Sequence, residues 1–244
     1  MKDAKIRLFV DQPISDGQSL SLTGAQAQYL FAVMRLRAGG RIAIFDGGSG
    51  EWLAEILELS KRGGVMRAMS LRRAQSGAAD VWMCFAPLKK ARMDMVVEKA
   101  TEMGVSCLVP VLCAFANSDR LRIDRMRAQA IEAAEQCGAM AVPQVADPVR
   151  IEKLMTAWPA ERTLLFCDET LAGGSMAAFS KAQQPAAILV GPEGGFAPSE
   201  RAMLREHPNC HSVALGPRIL RAETAALAAL ALWQAQCGDW QSDQ

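Results

Sequence analysis

Hydrophobic positions follow two regimes along the chain. Over residues 1–73 they come in short runs broken by turn residues, which predicts strands at 6–10, 20–22, 41–45, 51–59 and 65–71. One stretch differs. Ala27, Leu30, Phe31 and Met34 recur at helical spacing and predict a helix over 24–35, with Thr23 as its N-cap. Gly39-Gly40 turns the chain into the third run. Asp46-Gly47-Gly48-Ser49-Gly50 reads as a hairpin turn and 61–64 as another. Several short strands with one helix suggest a small β-barrel.

Residues 72–80 are small and polar, as a linker would be. Beyond them apolar strands alternate with helical periods. Strands are expected at 81–86, 105–112, 163–167, 187–190 and 212–215. Helices are expected at 124–137, 149–158, 175–182, 198–206 and 222–236. A further helix carries Met93, Val96, Val97, Ala100 and Met103 on one face and stops at Gly104. Such alternation argues an α/β domain with a parallel sheet covered on both faces. The expected domains are 1–73 and 74–244.

Charge sharpens this division. Residues 1–73 hold 11 Lys and Arg against 7 Asp and Glu, a net of +4; the rest nets −3. A basic module beside a mildly acidic body fits an RNA-docking arm, or chance scatter of surface charge. Seven cysteines without a C-x-x-C pair read as reduced, buried thiols. Two isolated histidines exclude a zinc site of ordinary type, and no metal is expected. The opening Met1-Lys2-Asp3-Ala4-Lys5 has no apolar run, and no stretch reaches membrane-spanning length. A cytoplasmic location is the expectation.

The most informative stretch is 188–232. An apolar strand runs into Gly191-Pro192-Glu193-Gly194-Gly195-Phe196, and a second into Leu215-Gly216-Pro217-Arg218-Ile219-Leu220-Arg221-Ala222-Glu223-Thr224-Ala225. Ligands of open α/β sheets sit at strand carboxyl ends, so the two loops look like lips of one pocket. The first loop lacks the Gly-Lys-Ser/Thr of a P-loop and the spacing of a dinucleotide fold. Glu193, among glycines, is free to meet a cationic ligand or an arginine. Ala197 falls at the N-cap of the following helix and has no acceptor oxygen there, a loss of ~1 kcal/mol against Ser. Arg221 offers a rigid fork of donors, either to substrate or to Glu193 or Glu223. Glu223 gains from the positive helix end. The helix from Ala222 is apolar all round, hence buried.

These two loops together resemble the SPOUT-class methyltransferases, and within them the family that N3-methylates a uridine of 16S ribosomal RNA. Val33-Met34-Arg35-Leu36-Arg37 followed by Gly40 resembles the family's PUA-like opening domain. Lys89, Lys90 and Arg92, and Glu132-Ala133-Ala134-Glu135-Gln136, match further runs. The resemblance implies a trefoil-knotted C-terminal domain, S-adenosylmethionine in the knot loops, a homodimer and 16S rRNA as partner, in the small ribosomal subunit.

The resemblance also assigns residues. Cofactor contacts fall to Leu189, Gly191, Pro192, Glu193, Gly194 and Gly195 in the first loop. In the second they fall to Leu215, Gly216, Ile219, Leu220, Thr224 and Ala225. RNA contacts are expected from Arg35, Arg37, Lys89 and Arg92, with Arg120 and Arg122 as arginines that could compensate where the family's basic residues are missing. Arg221 would stabilise charge on the base and Glu223 would accept its proton. Two places depart from the pattern: Ala116 and Ala139-Met140-Ala141 stand where basic residues are common. They motivate a rival expectation, a non-catalytic RNA-binding or assembly protein that keeps the fold.

Overall fold

The structure is a computed structural model that describes residues 4–77, 79–116, 121–170 and 177–241. Two compact units divide the chain: residues 1–77 with 134–142, and residues 78–133 with 143–244.

In the first unit β1 (Arg7–Phe9), β2 (Ser19–Leu22), β3 (Arg41–Phe45), β4 (Glu51–Leu59) and β5 (Gly64–Arg73) form one sheet in the order β1-β3-β4-β5-β2. Only the β1–β3 pair is parallel. Leu8 of β1 and Leu20 of β2 share one core with Ile42, Ile44 and Ile56, although the two strands lie at opposite ends of the order. A sheet curled on itself brings its edges together in that way. Thr23 caps α1 (Gly24–Gln28), and Gln26 returns the bond to the Thr23 N–H at 3.0 Å. The helix expected over 24–35 ends early. It widens into a π-helical turn at Tyr29–Val33, and Arg35 follows with φ 56°.

Residues 134–142 join this unit through arginines. Arg7 donates from Nη1 to Ala134 O and from Nη2 to Ala139 O, both at 2.6 Å, and Arg73 donates to Gly138 O at 2.9 Å. Both guanidiniums also hold Glu51, which is buried. Burial works against the Glu51 anion, but the bonds from Arg73 and Arg7 outweigh it and keep the carboxyl below its ordinary range.

The second unit is α/β. Its strands β6 (Val81–Phe85), β7 (Cys107–Leu112), β8 (Gln144–Val145), β9 (Val149–Arg150), β10 (Thr163–Cys167), β11 (Ala186–Val190) and β12 (Cys210–Val213) are all parallel. Their order is β12-β10-β11-β6-β7-β8, with β9 also on β7. Helices α2 (Lys90–Glu102), α3 (Ile123–Cys137), α4 (Ile151–Thr156), α5 (Ala177–Lys181), α6 (Pro198–Glu206) and α7 (Ala222–Cys237) accompany them. The first two residues of the helix expected over 149–158 pair with Val111 and Leu112 instead, which shortens it. The helix expected from 175 begins outside the described residues. On α7, Ala226, Ala229, Leu230 and Trp233 are buried while Leu227, Ala228, Ala231 and Leu232 are half-buried, so burial is not complete all round. Among the described residues no helix is long and apolar enough to cross a membrane.

Candidate active site

Three adjacent strands, β12, β10 and β11, end side by side. The loops that follow them enclose a cavity of about 410 Å³, bounded by Cys167, Val190 and Val213 at the strand ends. That size suits a small-molecule ligand.

The first lip is built by close packing. A Cβ on Gly191 would lie 2.5 Å from the ring of Phe196, which is buried edge-on against Phe166. Gly195 has φ +69°, and a Cβ there would meet Glu169 Oε1 at 2.3 Å. Glu169 in turn accepts from the Phe196 N–H at 3.3 Å and pairs with Arg201 at 2.9 Å. Ala197 is the N-cap of α6 with no side-chain cap bond, as expected. Buried Glu200 replaces part of that cap: its Oε2 accepts the Ala197 N–H at 2.8 Å, and its Oε1 accepts the Ala114 N–H at 2.7 Å.

The second lip ends at Arg221, the N-cap of α7, which is exposed and lines the cavity. Of the two roles open to Arg221, pairing with Glu193 or Glu223 is not seen among the described residues. Arg92 takes both carboxylates, with Nη1 at 2.6 Å from Glu193 Oε1 and Nε at 3.5 Å from Glu223 Oε1. Glu223 is 8% exposed, and among the described residues its Oε2 has no hydrogen-bond partner. A buried polar oxygen left open in this way asks for a reason, such as a ligand, a water or a catalytic duty.

The cavity takes in Gly191, Pro192, Glu193, Gly194 and Gly195 from the first loop. From the second it takes Leu215, Ile219, Leu220 and Ala225. Leu189 is not there: it is buried in the core of the sheet, because β11 is covered on both faces. Gly216 and Thr224 also lie off the lining, and Thr224 is exposed. Glu223 flanks the cavity, between Ala222 and Ala225, which do line it.

Sequence reasoning missed a third loop, Asp168, Glu169 and Thr170 after β10, and also Arg201 and Arg218. The rule that ligands sit at strand carboxyl ends pointed to 168–170, but no glycine falls among those three residues to draw attention. Asp168 is buried and bound by Arg205; burial opposes its anion, yet the bonds from Arg205 and Thr170 hold the carboxyl below its ordinary range. Burial pushes the Cys167 thiol up to about 12, so it stays protonated at neutral pH.

The expected RNA contacts are dispersed. Lys89 is exposed at the N-cap of α2. Arg122 is exposed and pairs with Asp124 at 2.9 Å. In the first unit Arg35 is exposed, while the Arg37 guanidinium lies 4.5 Å over the Phe31 ring and donates to Leu36 O. Arg120 lies outside the described residues.

Comparison with known proteins agrees with this geometry. An RNA methyltransferase domain model matches residues 75–234, and an RNA methyltransferase PUA domain model matches residues 22–64. The chain is 31% identical to ribosomal RNA small subunit methyltransferase E of Mycobacterium bovis over 235 residues, 91% of this chain and 88% of that protein. A solved methyltransferase of Legionella pneumophila with bound S-adenosylmethionine superposes with a TM-score of 0.87 at 28% identity, covering 96% of this chain and 98% of that one. The ribosomal RNA small subunit methyltransferase E of Neisseria gonorrhoeae, also bound to S-adenosylmethionine, gives 0.87 at 27% identity over 97% and 99%. The SPOUT-type fold and the PUA-like N-terminal module are thereby established.

Proposed function

The chain belongs to the ribosomal RNA small subunit methyltransferase E family, and from that premise we propose that it transfers a methyl group from S-adenosylmethionine to N3 of a uridine in 16S ribosomal RNA. The cavity fits the cofactor's needs. Its first lip is glycine backbone that allows close approach, and its volume of about 410 Å³ suits a nucleoside-sized ligand. Gly191, Gly194, Gly195, Leu215 and Leu220 would hold it. When bound, S-adenosylmethionine supplies an electrophilic methyl group.

The chain's own residues do the rest. Uridine N3–H is barely acidic at neutral pH, so a group must take its proton or stabilise the anion. Glu223 Oε2, buried and unpartnered among the described residues, is the observation that carries this reading; it is the candidate proton acceptor. Arg92 holds the Glu223 carboxylate from its other oxygen. Arg221, exposed on the lip, meets the charge that develops on the uracil oxygens. The Arg-rich first unit, with Arg35 exposed, supplies phosphate contacts.

The same reading makes the protein a cytoplasmic homodimer that acts on the small ribosomal subunit. The half-buried face of Leu227, Ala228, Ala231 and Leu232 on α7 supports pairing of two copies. Retention of the whole cavity counts against a purely non-catalytic RNA binder, which has no use for it. The test is twofold. Calorimetry with S-adenosylmethionine is expected to show binding, and rRNA from cells lacking the protein is expected to lose one N3-methyluridine. No binding at millimolar cofactor overturns the enzyme; a full set of methyluridines in the deletion strain overturns the substrate.

A further inference from the structure

We propose that Phe115 is a positioning residue that stacks on the target base as it enters the cavity. This inference rests on the methyl-transfer reading above. Phe115 is 55% exposed and has no aromatic partner among the described residues. Its backbone is nevertheless fixed. On one side the Ala114 N–H is held by Glu200 Oε1 at 2.7 Å; on the other the Ala116 N–H donates to Cys113 O at 3.1 Å. The side chain lies against the first lip: a Cβ on Gly194 would meet Phe115 Cβ at 3.0 Å. Phe115 does not line the cavity but packs on Gly194, which does, so it stands outside the cofactor's space and against the first lip. On the second lip Ile219 is 79% exposed and does line the cavity.

An enzyme that works on a base within RNA must take that base out of its stack. The lost stacking is commonly replaced by an aromatic face, and any base offers a π-surface to it. Arg221 and Arg218, which line the cavity, can donate hydrogen bonds to the edges of a uracil. Phe115 supplies the face.

The test compares Phe115→Ala, Phe115→Leu and Phe115→Tyr in single-turnover methyl transfer to small-subunit particles isolated without the modification. Cofactor affinity is read by calorimetry on the same proteins. Alanine and leucine are expected to lower the rate at subsaturating particles about tenfold or more, in line with one lost base–aromatic stack. Tyrosine is expected to restore it, and affinity for S-adenosylmethionine is expected to be equal in all four proteins. Leucine keeps apolar packing on Gly194, so full activity in Phe115→Leu overturns the proposal. A parallel fall in cofactor affinity also overturns it and makes Phe115 a support for the glycine lip. If the unaltered protein transfers no methyl group, the methyl-transfer reading fails and this one falls with it; if it does and Phe115→Ala matches it, only this one fails.

Discussion

Arg92 Nη1 lies 2.6 Å from Glu193 Oε1, which joins the first turns of α2 to the first lip of the cavity. The same guanidinium reaches Glu223 in the first turn of α7. One cation therefore spans both lips. The pair with Glu193 is partly exposed on both sides, with 32% and 40% of the side chains accessible, so it adds little to stability, under ~1 kcal/mol. Its value lies in placing two carboxylates.

Arg92→Met should separate these two contributions. Thermal unfolding is expected to shift by no more than a few degrees. Methyl transfer is expected to fall at least tenfold, because Glu223 loses its cation and the two lips lose their link. Unchanged turnover in Arg92→Met would show that the carboxylates are placed without it.

Gly195 makes a sharper demand. A side chain there meets both a left-handed backbone and Glu169 Oε1 at 2.3 Å. The backbone strain alone is ~1–2 kcal/mol, worth a melting shift of roughly 2–8 °C. Gly195→Ala is expected to weaken S-adenosylmethionine binding about tenfold or more while the protein still folds. Adding Glu169→Ala removes the clash but not the strain, and should recover part of the melting temperature. Normal cofactor affinity in Gly195→Ala would reduce the loop to a turn.

Much of this site could be read from the chain because local chemistry marks it. Pro198 at the start of α6 and the glycines around β3, β4 and the first lip fix element ends within a residue or two. What escaped is non-local. β10 inserts between β12 and β11, and only that order brings Asp168 and Glu169 to the cavity. Arg92 looks like a surface cation in sequence, yet it meets residues 101 and 131 positions away. Val149 and Arg150 carry a helical period, and pairing with β7 overrides it. At Tyr29 the helical spacing of apolar residues continues while the backbone widens, a change the spacing does not register.

The backbone of Arg35 makes a clean test of the RNA-docking role. With φ at 56° this position suits glycine, so Arg35→Gly removes the charge without disturbing the fold. One lost phosphate contact is expected to lower the salt slope of log K for RNA by roughly 1. Arg37→Ala should lower it less, because that guanidinium is already engaged with Phe31 and Leu36 O. Cofactor affinity should stay the same in both. If neither substitution changes the slope, the phosphate contacts lie in the second unit.

Grip and chemistry can be separated at the second lip. Arg221 is exposed there, with no ion pair among the described residues, while Glu223 two positions on is buried with Oε2 open. Charge appears on the uracil only as N3–H is lost, so a donor aimed at that charge acts on the transition state rather than on binding. Arg221→Lys keeps a cation but loses the planar fork. Its single-turnover rate on small-subunit particles is expected to fall about 10²-fold, the scale of one preorganised donor removed. Affinities for the cofactor and the RNA should change little. Glu223→Gln keeps the shape and removes the acceptor's charge, so it should also slow the reaction, with a steeper dependence on pH. Raising the pH supplies more uridine already without its proton, and should recover part of the rate in both variants. A higher RNA dissociation constant in Arg221→Lys, with an unchanged rate at saturation, would make Arg221 a binding residue. A Glu223→Gln protein with the original pH profile would mean that the proton leaves by another route.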